Sequence, residues 1–185
     1  MPAKPRRSAA FRVLIEFVAA PTSIEPSTAP AGDDRPESIR FCSRCADTSE
    51  QPRGHLQVPR RICERCESGV LLTCRREALA TPSFLIFGDE LTVTAASEQA
   101  ETIFGPEAEL IGQHLLDLVS CPLGDEQLAR HGQIAAQRET EEVALPLRLR
   151  AERGLAVGTL EARLATCGPP RAGLLTVAPS PFGRR

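Results

Sequence analysis

The residues best suited to chemistry are four cysteines that form two Cys-x-x-Cys pairs, separated by seventeen residues. They are Cys42, Cys45, Cys63 and Cys66. Four thiolates that converge on one tetrahedral Zn²⁺ need two sharp turns, and each pair supplies one. The spacer contains two prolines and a glycine and is long enough to reverse direction. The pattern predicts a structural zinc site, whose four ligands leave no position open for a catalytic water.

Three other uses of these thiols compete with zinc. A thioredoxin-like redox pair accompanies a βαβ pattern, which this segment lacks. An iron–sulfur cluster also takes four thiolates, but the paired spacing with a long gap favours zinc. Two disulfides would need an oxidising compartment. Arg12 and Glu16 interrupt the short apolar stretch near the N-terminus, so a signal peptide is not indicated, and we expect a cytoplasmic protein.

The remaining cysteines and one histidine near the pairs have simpler interpretations. Cys74, Cys121 and Cys167 stand outside any motif, and we expect them to be small buried apolar residues rather than redox centres. His55 lies in the spacer and could replace a ligand, but a single histidine on a polar loop is more often solvated.

The Cys-rich segment, residues 40–80, has few large apolar side chains and cannot build a core alone. Binding of Zn²⁺ contributes about 10–16 kcal/mol in small zinc fingers, enough to order such a segment. The segment resembles a zinc finger of treble-clef or ribbon type. In a treble clef the second Cys pair opens a helix, and residues 63–79 are compatible with one, although Gly69 and Val70 disfavour it.

Composition and charge divide the chain into four parts. Residues 1–39, rich in Pro, Ala, Ser and Thr, are predicted to be a flexible leader, and residues 180–185 a tail. Residues 40–76 contain eight arginines and four acids, whereas residues 82–167 contain fourteen acids and six arginines. This change of character predicts a boundary between the zinc finger, 40–80, and a second domain, 82–179.

The second domain shows a hydrophobic pattern of two strands, several short helices and three strands. The apolar run 84–87, the turn 88–90 and the alternating segment from Leu91 predict a hairpin. Ser97 is expected to cap a first helix that ends at Gly105, and Asp125 to cap a longer one. Pro146 lies within a later strand, which argues for an edge or a bulge there. An antiparallel sheet with helices on one face, an α+β fold, is predicted.

Residues 82–119 resemble the first half of a PAS domain. The family has an apolar strand, a turn with Asp, a second strand that ends in Ser or Asn, and a helix of the form Ser-x-x-Ala-Glu-x-x-Phe-Gly. The matching positions here are Ser97, Ala100, Glu101, Phe104 and Gly105, followed by Glu107 or Glu109, Gly112 and Leu118. The resemblance implies a five-stranded antiparallel sheet over residues 82–179, used for sensing or protein interaction.

The resemblance also implies a choice of ligands and partners. PAS domains hold a small molecule between helices and sheet or serve in dimerisation, so a homodimer and an unidentified ligand are both expected possibilities. The flavin photosensors of the family carry a reactive Cys in an Asn-Cys-Arg-Phe-Leu-Gln-like helix, which is absent here. Haem-binding members use a helical His, and neither His114 nor His131 lies in such a motif.

We therefore expect a non-enzymatic regulatory module, a zinc finger joined to a PAS-like domain, with a protein partner and no membrane segment. No catalytic triad, paired carboxylate site or phosphate loop is visible. One alternative is a nucleic-acid-binding regulator, but residues 40–76 carry only about +2 once four thiolates hold Zn²⁺, too little for strong phosphate binding. The other is a thiol redox sensor, in which Arg44, Arg61 and Arg65 lower the pKa of the thiols.

Overall fold

The structure is a computed structural model that describes residues 37–49, 60–138, 141–150 and 159–179. The described residues form nine strands, four α-helices and one short 3-10 helix, Arg76–Ala78. The strands are β1 Ser38–Cys42, β2 Thr48–Ser49, β3 Leu71–Arg75, β4 Phe84–Phe87, β5 Val93–Ala96, β6 Val119–Ser120, β7 Val143–Leu149, β8 Thr159–Gly168 and β9 Ala172–Pro179. The helices are α1 Glu98–Phe104, α2 Glu107–Leu110, α3 Leu115–Leu118 and α4 Asp125–Gln137. Most of the predicted leader, most of the Cys-rich spacer and the tail lie outside the described residues, and so does His55. The leader was predicted to extend to residue 39, but Ser38 and Ile39 belong to β1.

The strands form one antiparallel sheet in the order β2-β1-β3-β8-β9-β4-β5, and β7 pairs with both β8 and β6. The prediction of an α+β fold with an antiparallel sheet is confirmed. The described sheet has nine strands, six of them within residues 82–179, where the resemblance implied five. Three of the additional strands, β1, β2 and β3, come from the Cys-rich segment, and β6 is a two-residue strand.

The Cys-rich strands join the sheet along one edge of β8. β7 pairs with β8 up to Leu164, and β3 pairs with the last two residues of β8, Cys167 and Gly168. β3 in turn pairs with β1 over the full length of both strands. The sequence predicts a domain boundary near residues 80–82. The strands before and after this point nevertheless belong to one hydrogen-bonded sheet.

Each face of the sheet has its own hydrophobic core. The larger core lies between the sheet and α1–α4 and includes Phe87, Phe104 and Leu128. The smaller one joins the Cys-rich strands to β4, β8 and β9. Phe41 of β1 and Phe84 of β4, both fully buried, meet there edge to face with ring centroids 5.3 Å apart. Because β1 and β4 are separated by three strands in the sheet order, this contact requires the sheet to curl.

The first helix begins and ends where the sequence predicts. The Ser97 hydroxyl accepts a hydrogen bond from the Ala100 N–H and so caps α1, which ends at Gly105 with φ +102°. The prediction that Asp125 caps α4 is wrong, because the N-cap is Gly124 and Asp125 is the first helical residue. The Asp125 carboxylate instead accepts from the Cys121 N–H and pairs with Arg150, which fastens the loop before the helix.

Two details of the strands also depend on tertiary contacts. β5 begins at Val93 and not at Leu91, since Leu91 adopts φ +58° in the turn and donates its N–H to Gly88. Pro146 pairs with Glu161 of β8 on one side, while β6 reaches β7 only at Arg148 and Leu149. The prediction of an edge position for Pro146 is confirmed. No helix in the described ranges is long and apolar enough to cross a membrane.

Candidate metal centre

The four predicted cysteines come together where the two turns of the Cys-rich segment face each other. The first pair lies at the end of β1, with Cys42 as the last residue of that strand. The second pair precedes β3, which begins at Leu71. A turn and then a strand follow Cys66, so the helix of a treble clef is absent from the described residues. The β-branched Val70 and Thr73 suit this extended path better than a helix.

The two turns have the same backbone construction. In the first, Ala46 adopts φ +59° and donates its N–H to the Cys42 carbonyl. In the second, Glu67 adopts φ +57° and donates its N–H to the Cys63 carbonyl. Each left-handed residue directly follows the second cysteine of its pair, so each turn folds its two thiols toward one side.

The four sulfur atoms are spaced as four ligands of one tetrahedral ion would be. All of them lie within 4.8 Å of one another, with 3.5 Å from Cys42 Sγ to Cys66 Sγ and 3.8 Å from Cys45 Sγ to Cys63 Sγ. Because a Zn–S bond measures about 2.3 Å, the edges of a zinc tetrathiolate tetrahedron are about 3.8 Å long. None of the four cysteines is joined in a disulfide. The donor set and its dimensions therefore fit a metal ion.

Burial and hydrogen bonds affect the metal-free thiols differently. Burial raises the pKa of Cys42 to about 12 and also raises the pKa of Cys45. Hydrogen bonds from Ser68 and Gly69 lower the pKa of Cys66 to about 6. Backbone N–H groups also point at the sulfurs, with 3.4 Å from Arg44 N to Cys42 Sγ and from Gly69 N to Cys66 Sγ. Such donors stabilise thiolates and are the usual outer partners of a sulfur-bound metal.

Direct contacts hold the two turns against each other. Ser43 donates its backbone N–H to the Val70 carbonyl, and its hydroxyl accepts from the Val70 N–H. Gly69 lies so close to the first turn that a Cβ there would be 2.2 Å from Cys42 Sγ and 2.9 Å from Arg44 Cβ. Sequence reasoning treated Gly69 only as unfavourable for a helix. Its position three residues after the last cysteine is the only sequence signal of this role.

The side chain of Arg44, between the two cysteines of the first pair, pairs with two carboxylates of the helical layer. Its Nη1 lies 3.0 Å from Glu101 Oε1 and 3.4 Å from Glu107 Oε2, and the ion pair with Glu101 lowers the pKa of that carboxyl. The redox-sensor alternative expected Arg44 to lower the pKa of the thiols, but its guanidinium pairs with these carboxylates, and its contact with Cys42 Sγ is made by the backbone N–H. Arg65, the equivalent residue of the second pair, forms an exposed ion pair with Asp47.

The cysteines outside the pairs belong to the hydrophobic cores, and the prediction that they are buried is confirmed. Cys74 and Cys167 face each other across β3 and β8, and burial raises the pKa of each to about 12. Cys121 lies in the larger core. His114 has a structural role, because its Nδ1 accepts a hydrogen bond from the Leu116 N–H at the start of α3. His131 is half-buried on α4.

Comparisons with known proteins add a fold likeness only. No family model and no curated protein matches the chain. Among solved structures, it is similar to the PAS domain of nitrogen regulation protein NR(II) from Vibrio parahaemolyticus, with a TM-score of 0.40 and 16% identity. The match covers 53% of this chain and 88% of that one. A likeness of this strength carries no argument about function, so the interpretation of this chain rests on its own geometry.

Proposed function

We propose that this chain is a non-enzymatic regulatory module in which a structural Zn²⁺, held by Cys42, Cys45, Cys63 and Cys66, is built into the sheet of a PAS-like sensory or protein-interaction domain. The observation that carries the proposal is the cluster of four sulfur atoms within 4.8 Å. Zinc suits four thiolates in tetrahedral array, and a site closed by four protein ligands supports folding rather than catalysis.

Two further observations support the PAS-like part. The described residues of 84–179 give two strands, then helices with the two-residue β6 among them, and then three longer strands, which agrees with the order that the resemblance implies apart from β6. A cluster of buried apolar residues lies between the helices and the sheet, as expected for a domain that folds around one core on this face. The same resemblance supports the proposal of a protein partner, which could be a second copy of this chain. We place the protein in the cytoplasm, where thiols stay reduced.

Four of the eight arginines in residues 40–76 weigh against the nucleic-acid alternative. Arg44, Arg60, Arg65 and Arg76 each pair with an acidic side chain. Paired arginines leave less positive charge for phosphates, and binding that depends on few phosphate contacts is lost at about 150 mM salt.

Metal analysis of the purified full-length chain tests the proposal. Native mass spectrometry and elemental analysis should find one equivalent of zinc, with the four ligand thiols protected from alkylation until a chelator is added. The same spectrum would reveal a retained small molecule. An ordered chain that contains no zinc and takes up none on titration would contradict the proposal.

Gly69→Ala should weaken zinc binding, because the added methyl group collides with Cys42 Sγ. Overpacking costs about 1–3 kcal/mol, so the affinity should fall by roughly ten- to a hundredfold. Competition with a chromophoric chelator measures this. Gly88→Ala is the matched control, since a Cβ at Gly88 meets nothing within 4 Å. Equal zinc affinities for the two variants would show that the close approach at Gly69 does not matter.

A further inference from the structure

Arg44 joins the metal-binding turn to the helices of the neighbouring region. Its carbonyl accepts the N–H of Glu98, the first residue of α1. Its Nη1 donates to Glu101 Oε1 of α1 and, at 3.4 Å, to the carbonyl of Ala96 at the end of β5. The backbone and the side chain of one residue between two ligand cysteines are thus both bound to the start of the helical layer.

The acidic partners of Arg44 are themselves locked to the backbone. Glu101 Oε1 accepts the Glu107 N–H at 2.8 Å, where α2 begins, and Glu107 Oε1 accepts the Ala96 N–H at 3.2 Å. Arg44, Glu101 and Glu107 therefore close a ring of hydrogen bonds through β5, α1 and α2. The three side chains are 24–29% exposed, so solvent only partly screens the ring.

The position of Arg44 also depends on the other turn. Gly69 of the second turn packs against the Arg44 side chain, close enough that an added Cβ would be 2.9 Å from Arg44 Cβ. An ion that fixes the two turns relative to each other would fix the base of this arginine as well. Without the ion, the contacts between the two turns include the Ser43–Val70 hydrogen bonds, the close approach of Gly69 and the exposed Arg65–Asp47 ion pair. An ion bound by all four sulfurs would add a stronger link to these.

We infer that metal occupancy of the four-cysteine site is transmitted to α1 and α2 through Arg44, so that the ion orders this part of the helical layer. The inference rests on the proposed zinc site. A coupling of this kind is reciprocal: loss of the acidic partners should weaken metal binding as much as loss of the metal loosens the helices. Arg44 acts here as a positioning residue that never touches the metal.

Hydrogen exchange of the full-length chain, zinc-loaded and chelator-treated, tests the inference. In the wild type, removal of zinc should raise exchange of the amides of residues 97–111 by at least about fivefold, the lower end of typical coupling strengths. Exchange in α4, which contributes no group to this ring of hydrogen bonds, is the internal reference. Arg44→Ala should still bind one zinc, exchange faster at residues 97–111 even when loaded, and lose most of the zinc dependence.

Arg65→Ala is the matched control, because Arg65 holds the same place in the second pair and contacts Asp47 instead of the helices. It should behave as the wild type does. The double variant Glu101→Gln, Glu107→Gln removes the acidic partners of Arg44 and leaves the arginine in place. Its zinc affinity should fall by at least about fivefold. This double variant also tests the inference if Arg44→Ala does not fold.

The outcomes distinguish failure of the coupling through Arg44 from failure of the proposed zinc site. If zinc binds but exchange at residues 97–111 is unchanged on its removal, or rises only in step with α4, the inference is overturned and the zinc site stands. If Arg65→Ala loses the zinc dependence as Arg44→Ala does, transmission through Arg44 is overturned. If no zinc binds, both fail.

Discussion

Cys42→Ser should lose zinc binding and destabilise the whole described unit. Cys42 is fully buried, its sulfur lies 3.5 Å from Cys66 Sγ, and it ends β1. Loss of an outer partner of a metal ligand costs about 10–100-fold in affinity, so loss of the ligand itself should cost more than about a hundredfold. The free energy of unfolding should fall by at least about 3 kcal/mol, as expected when a structural metal is lost.

The matched control is Cys74→Ser, which makes the same chemical change in a buried cysteine outside the cluster. It places a hydroxyl in the smaller core and should lower stability moderately, yet retain one equivalent of zinc. Elemental analysis and denaturant unfolding with and without zinc measure both variants. If Cys42→Ser keeps stoichiometric zinc, or if Cys74→Ser loses it, the assignment of the ligands is wrong.

Phe41→Ala should destabilise the sheet on both sides of the predicted domain boundary. Phe41 is fully buried against Phe84 in the smaller core, and a Phe→Ala change in a core costs about 3–5 kcal/mol. Because β1 belongs to the same sheet as β4 and β9, hydrogen exchange should accelerate in all three strands, and unfolding should remain one transition.

Leu123→Ala provides the comparison for this variant. Leu123 is 61% exposed, so its truncation should change stability by no more than about 0.5 kcal/mol. If Phe41→Ala unfolds in two separate transitions, or if exchange in β4 and β9 stays as in the wild type, the Cys-rich segment is an independent domain, as the charge pattern of the sequence suggests.

The features that could be predicted from the sequence are those whose physical cause is local. The spacing within each Cys-x-x-Cys pair alone dictates a tight turn that brings two thiols together, so the candidate ligands were identifiable. The cap at Ser97 was likewise predictable, because the hydroxyl and the N–H that it binds are only three residues apart. The apolar run 84–87 and the alternation of apolar residues in 143–149 indicated the strands at these positions.

The features that could not be predicted depend on contacts between distant parts of the chain. Arg44 meets Glu101 only because the sheet curls, and no local pattern relates two residues separated by 57 positions. The pairing of β3 with β8 was missed for the same reason. Charge composition changes between the two segments and suggests a boundary, but composition does not report hydrogen bonds between strands.

X-ray absorption at the zinc edge of the purified protein tests the central claim most directly, because it reports which atoms surround the ion. Four sulfur ligands at about 2.3 Å, with no nitrogen or oxygen ligand, are predicted. Fewer than four sulfurs, or a chain whose Cys42, Cys45, Cys63 and Cys66 are joined in disulfides, would contradict a structural zinc site in this sheet.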